Sequence, residues 1–327
     1  VLEVALAMAR EGDPARRIIV SERDNFPTDL YMAQSLARQH GCELRLVDGP
    51  ERVADALDDR VAVLMLTHVN YRTGRMHPMA DVTAAAHAKG ALVVWDLAHS
   101  AGAVPLSLRA SDADFAVGCG YKYLNGGPGA PAFVWVHSRH LARMDAEQRW
   151  QPLSGWMGHA APFEFTTDYH PAAGIARFTC GTPSPLALAA LECGIDTVLA
   201  AQPLGGMEAL RRKSLALTGL FMQLVRTRLQ GQGFGIATPE QENLRGSQVS
   251  LTRGEGAYAI VQALIARGVI GDFRAGDGAR EADILRFGFT PLYLGYADVW
   301  HAVERLRDVM ESGQWRDPRF SQQHAVT

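Results

Sequence analysis

The chain has 327 residues, 47% of them hydrophobic, and a formal net charge of -3, enough for one large domain or two ordinary ones with a full core. Charges of both signs are interspersed, which argues against a nucleic-acid groove or an anionic membrane surface as partner. The four cysteines, Cys42, Cys119, Cys180 and Cys193, include no Cys-x-x-Cys pair, so no zinc site, redox dithiol or disulfide framework is expected.

The opening VLEVALAMAR has amphipathic helical spacing and lacks the basic region of a signal peptide. It reads as the middle of a helix, so a natural chain beginning further upstream is expected. Arg17 to Val20 is a short apolar run. Thr28 to Gln39 has helical spacing and ends at Gly41. Cys42 to Val47 alternates, with Cys42, Leu44 and Leu46 on one face, and predicts a strand. Pro50 to Asp58 predicts a short helix with Pro at its start. Val61 to Leu66 (VAVLML) and Ala91 to Trp95 (ALVVW) are apolar runs that suit strands buried on both faces, with a helix over Met79 to Lys89 between them. Asp114 to Val117 and Ala132 to Val136 predict two more strands. This alternation predicts an α/β fold with a mainly parallel sheet and helices on both faces.

The pattern then changes. Pro185 to Leu199 and Met207 to Leu229 are long helical segments. Strand-like runs at Gln248 to Leu251 and Leu285 to Phe289 flank a helix at Tyr258 to Arg267, and Ala297 to Met310 is a last amphipathic helix. A large domain over residues 1–182 and a smaller α+β domain over 183–327 are expected, divided where GTPSP breaks the chain. The tail after Trp315 is polar and expected to be loosely held. No stretch of about 18 apolar residues is free of charge, so no transmembrane helix is expected, and the location is expected to be cytoplasmic.

In an open parallel sheet, ligands bind beyond the carboxyl ends of the strands. Asp96 directly follows ALVVW, with His99 three residues on. Thr67 and His68 follow VAVLML. Lys122 follows DFAVGCG, between two tyrosines and before the glycine-rich Asn125 to Gly129. Each has a bland alternative: Asp96 as a turn cap, Asp96 and His99 as metal ligands lacking a third, Lys122 as a surface lysine. Asp96 and Lys122 together meet the needs of pyridoxal 5′-phosphate, a lysine for the aldehyde and a carboxylate for the pyridine nitrogen. Desolvation lowers a lysine's hold on its proton, which suits covalent chemistry. No Gly-x-Gly-x-x-Gly, Walker A or His-Glu-x-x-His motif competes.

Six segments, taken together, resemble the kynureninase family: FPTD (Phe26 to Asp29), WDLAHSAG (Trp95 to Gly102), DFAVGCGYKYLNGGPG (Asp114 to Gly129), GWMGH (Gly155 to His159), RFTCGTP (Arg177 to Pro183) and RFGFTPLY (Arg286 to Tyr293). The resemblance implies a fold-type I, pyridoxal-phosphate-dependent homodimer with its active site at the subunit interface. It implies hydrolysis of L-kynurenine, or its 3-hydroxy form, to an anthranilate and L-alanine in tryptophan catabolism. By that resemblance Lys122 is the Schiff-base lysine, Asp96 pairs with the pyridine nitrogen beside Asp29, and Phe26 stacks on the ring. His99 and Thr67 contact the cofactor less centrally. Tyr121 binds the phosphate and moves a proton. Trp156 and Thr182 reach the phosphate of the neighbouring subunit, and Arg286 holds the substrate α-carboxylate. Read without it, Phe26 is a helix-entry staple, Trp156 core, Thr182 turn chemistry and Arg286 a snorkelling surface residue.

Kynureninases also carry an upstream segment with a Leu-Thr pair that binds the phosphate. VLEVALAMAR reads as the continuation of that segment's last helix, so a weakened phosphate cradle is expected in the chain as it stands. THVNYRTG (Thr67 to Gly74) resembles cysteine desulfurases too, which need a nucleophilic cysteine on a mobile loop, and Cys180 is the candidate. A non-catalytic fragment is the remaining alternative.

Overall fold

The computed structural model describes residues 1–278 and 281–322. The chain forms two compact units. The first comprises 1–68, 77–101 and 106–196, and the second 69–76, 102–105 and 197–327. The change from one to the other falls inside the helix over Pro185–Leu199.

The first unit is built on a six-stranded sheet of β1 (Ile18–Glu22), β2 (Glu43–Val47), β3 (Val61–Thr67), β4 (Leu92–Asp96), β5 (Phe115–Cys119) and β6 (Ala132–Val136). Its order is β2-β1-β3-β4-β5-β6. All pairs are parallel except β5 with β6, which is antiparallel. The apolar runs are buried on both faces, as their lack of alternation requires. Ile18, Val20, Leu64, Leu66, Val93 and Trp95 enter one core. Ile19, Val63, Met65, Val94 and Phe115 enter the other, which α1 (Leu2–Gly12) covers with Leu2, Val4, Leu6 and Met8. Each fully buried aliphatic or aromatic side chain contributes roughly 1.5–3 kcal/mol.

α2 (Pro27–His40) starts with Pro, whose missing N–H is not needed there, and ends at Gly41 in the left-handed conformation. α3 (Met79–His87) follows β3. The helix expected over Pro50 to Asp58 is instead two short 3₁₀ turns, Pro50–Arg52 and Ala54–Ala56. Such a short segment gains little from α-helical nucleation, and Arg45 Nη1 takes the Ala56 carbonyl at 2.8 Å. Sequence reasoning missed α4 (Ser138–Ala146), whose N-terminus is capped by the His137 ring accepting from Arg139 N–H. α5 (Pro185–Leu199) follows.

At the amino ends of β4 and β5 lies a buried ionic hub. Asp114, 1% exposed, accepts from Val93 N–H at 2.8 Å and contacts His87 Nε2 at 2.8 Å and His140 Nε2 at 2.7 Å. Arg139 pairs with the same carboxylate. One side chain thus ties α3, β4 and α4 to the start of β5. These partners hold the Asp114 carboxyl well below the usual range despite burial, and Asp114 in turn raises the His87 pKa.

The second unit contains an antiparallel sheet of β7 (Phe234–Ile236), β8 (Gln248–Arg253), β9 (Asp272–Arg274) and β10 (Ile284–Gly288), in the order β7-β8-β10-β9. The three-residue strands β7 and β9 were too short to predict. α6 (Gly206–Arg228), α7 (Ala257–Ile265) and α8 (Tyr296–Glu311) pack with it around Phe221, Leu251, Ile260, Leu285 and Val303. The tail is less loose than its polarity suggests: Trp315 and Phe320 are buried in this core. Residues 323–327 lie outside the described ones.

Candidate active site

The strand order creates a switch point. From β1 the chain passes to β2 on one side and then to β3 on the other. A crevice opens beyond the carboxyl ends at such a reversal. Thr67 ends β3, Asp96 ends β4 directly opposite it in register, and Phe26 and Asp29 begin α2 just after β1. Lys122 lies three residues beyond β5.

Lys122 Nζ is 3.1 Å from His99 Nε2 and 5.5 Å from the centre of the Tyr121 ring. His99 is buried and Tyr121 exposed. Asp96 is buried and accepts from Ala98 N–H at 2.7 Å. Asp29 lies close enough to Asp96 for each carboxyl to shift the ionisation of the other. Burial, then the Asp96 charge, push Asp29 up to about 7. Burial also raises Asp96, but the Ala98 amide, Lys122 and the hydrogen bonds from Asp29 and Thr67 favour its anion. Burial thus raises both acids, Asp29 with the Asp96 charge added to it. A pair of buried acids facing a lysine suits a cationic ring nitrogen and an aldehyde, so the residues fit pyridoxal phosphate.

Asn25, which sequence reasoning missed, organises the near side. Its Oδ1 accepts from Phe26 N–H at 2.6 Å and from the Thr67 hydroxyl, and its amide donates to Ser21 at 3.1 Å. Its place just before FPTD was the available signal. Two further buried pairs were missed: His68 Nδ1 with Ser100 Oγ at 2.9 Å, and His77 with Glu22 at 2.8 Å.

The glycines near Lys122 serve packing as well as turning. A Cβ on Gly126 would meet Ala130 at 2.7 Å and Leu191 of α5 at 3.0 Å, and one on Gly194 of α5 would meet the Asn125 backbone at 2.5 Å. The turn carrying Lys122 is thereby pressed against α5.

The structure thus brings together Asp29, Thr67, Asp96, His99, Tyr121 and Lys122, with Phe26 41% exposed at the α2 entry. Trp156 is exposed and edge-on to Phe163 at 5.6 Å. Thr182 is exposed just before α5. Arg286 stands on β10 of the second unit, where it pairs with Asp272. Cys180 is exposed, but its carbonyl is packed so closely on Gly155 that a Cβ there would lie 1.7 Å away. Among the described residues no group of three or more His, Cys, Asp and Glu side chains is placed to hold a metal ion.

Residues 210–306 match the family model described as the kynureninase C-terminal domain. A kynureninase of Burkholderia mallei (strain SAVP1) is 54% identical over 316 residues, covering 96% of this chain and 72% of the relative. A kynureninase of Pseudomonas fluorescens is 50% identical over 329 residues, covering all of this chain and 75% of the relative. Among solved structures, a cysteine desulfurase from Thermococcus onnurineus NA1 has a TM-score of 0.77 at 18% identity, covering 95% of this chain and 77% of that one. A C-DES mutant with glycine covalently linked to the PLP cofactor has a TM-score of 0.72 at 19% identity, covering 94% and 84%. At such identities the solved structures share the fold, fold-type I, and the desulfurases are distant relatives. The identity and coverage of the sequence relatives carry the assignment: the chain belongs to the kynureninase family.

Proposed function

We propose that Lys122, Tyr121, Asp96, Asp29, His99, Thr67, Phe26 and Arg286 form the working site of this kynureninase, which hydrolyses L-kynurenine to anthranilate and L-alanine with pyridoxal 5′-phosphate as cofactor. The 3-hydroxy form is the second candidate substrate. The observation that carries the residue assignment is the meeting of the Asp29–Asp96 pair with Lys122 beyond the strand ends. When bound, the cofactor accepts the electrons released at the substrate Cα. Asp96 would pair with the ring nitrogen, and Phe26 would stack on the ring. Lys122 would hold the aldehyde and, once free, would move the proton at the substrate Cα. Water adds to the γ-carbonyl, the Cβ–Cγ bond breaks, and Tyr121 returns a proton to Cβ. Arg286 grips the α-carboxylate with two parallel hydrogen bonds, a geometry lysine cannot supply. Replacing it tests this role. Arg286→Ala is expected to lower kcat/KM for L-kynurenine roughly 100-fold, mainly through KM, read from anthranilate fluorescence. An unchanged KM sinks it.

The same reading divides the chain into a cofactor-holding domain over 1–182 and a smaller domain over 183–327. It makes the protein a homodimer, with Trp156 and Thr182 reaching the phosphate in the neighbouring subunit. Support comes from the exposed apolar side chains Leu186, Leu188, Trp150, Phe163 and Phe165. The Pro185–Leu204 stretch is also long and apolar enough to cross a membrane, though only 11% buried. Its Glu192 and Asp196 favour a subunit interface over a lipid one. Sedimentation equilibrium should give twice the 35.5 kDa chain mass, and a monomer at micromolar concentration would contradict the dimer. A cytoplasmic location belongs to this reading, and the free cysteines support it.

A further inference from the structure

Arg286 and Asp272 are cross-strand partners, placed directly opposite by the β9–β10 register. Arg286 Nε donates to Asp272 Oδ1 at 2.9 Å, and Nη2 donates to Oδ2. Nη1 donates to the Tyr71 carbonyl at 2.6 Å. The Arg286 side chain is 13% exposed. A guanidinium has five N–H donors in a rigid plane. These contacts use three, along the Nε–Nη2 side and one position of Nη1. Two donors remain, one on each terminal nitrogen, and an end-on pair of this kind is the geometry that matches a second carboxylate. Arg274 Nη2 lies 3.1 Å from the same Asp272 oxygen, so the acid is held from two sides.

We propose that Asp272 is a positioning residue that holds Arg286 side-on and presents its end-on fork to the substrate α-carboxylate. Asp272 does not touch the substrate; it acts through the arginine plane. The alternative chemistry, Asp272 as an internal competitor for the fork, predicts the opposite sign on mutation. The proposal rests on Arg286 being the carboxylate-binding residue, and the test separates the two.

The probes are L-alanine and L-alaninamide, equal in shape but differing in the carboxylate. Each is titrated into the pyridoxal-phosphate-loaded protein and followed by cofactor absorbance. A ratio of affinities does not depend on the fraction of protein that is folded. Asp272→Asn, which keeps the shape and one accepting oxygen, is expected to cut the preference for L-alanine about tenfold, and Asp272→Ala to cut it further. KM for L-kynurenine rises by a similar factor while kcat changes about twofold or less. An unchanged ratio in both variants, or a lower KM, overturns the proposal. Arg286→Ala is the reference. If it abolishes the preference while the Asp272 variants keep it, positioning fails and the arginine assignment stands. If it too keeps the preference, the arginine assignment fails.

Discussion

Lys122→Ala is expected to lose the borohydride-trappable attachment of the cofactor and to lower kcat roughly 10²–10⁴-fold, the range for removing a positioned proton-transfer group. Two jobs end with one substitution, because the amine that anchors the aldehyde also moves the Cα proton. The fold should survive, since Lys122 lies in the turn beyond β5 and outside the hydrophobic cores. Lys122→Arg separates charge from nucleophilicity. It preserves a cation beside Asp96 but presents a guanidinium that does not deprotonate, so turnover should remain lost. Steady-state assay with and without added amine is the measurement. Normal turnover in the alanine variant would exclude the mechanism.

The largest stability effect is expected at the opposite ends of the strands. Asp114→Asn leaves Arg139 and two histidines around a neutral amide at a site 1% exposed. Breaking a buried pair from one side costs about 3–5 kcal/mol. The pH dependence follows from the sign of each shift. The Asp114 pKa is depressed in the folded state, so its stabilisation is fully present above the unfolded value of about 3.9 and is lost as pH falls below it. The His87 pKa is raised, so its part is full below about 6.5 and is lost as pH rises through the folded value. Urea unfolding at several pH values should therefore show the variant less stable at neutrality, with a flatter acid limb. Equal stability of variant and parent at pH 7 would rule out this role for the hub. Activity per folded molecule should be preserved, because the hub lies at the amino ends and the site at the carboxyl ends of the same strands.

The apolar runs VAVLML and ALVVW revealed the sheet and its double burial because a strand buried on both faces has no alternation to hide. Asp96 and Lys122 were legible through their places after strands. Asp29 was legible only through the FPTD resemblance, since a lone acid early in a helix reads as a dipole partner. Asn25, Asp114 and Asp272 were not legible as a group. Their roles depend on partners 42, 26 and 14 residues away, and local pattern holds no record of such closures. β7 and β9 escaped because three residues cannot establish a period. The kink of Pro50 to Asp58 into 3₁₀ turns depended on a carbonyl taken by Arg45, again from another element.

Gly194 shows how helix composition and active-site placement are linked. Glycine inside a helix costs about 1 kcal/mol relative to alanine, so propensity alone recommends the exchange. Here the added methyl would press on the Asn125 backbone at 2.5 Å, three residues from the lysine. The mutational freedom of α5 is thus restricted from outside the helix: a change that would strengthen the helix in isolation would displace the turn that carries Lys122.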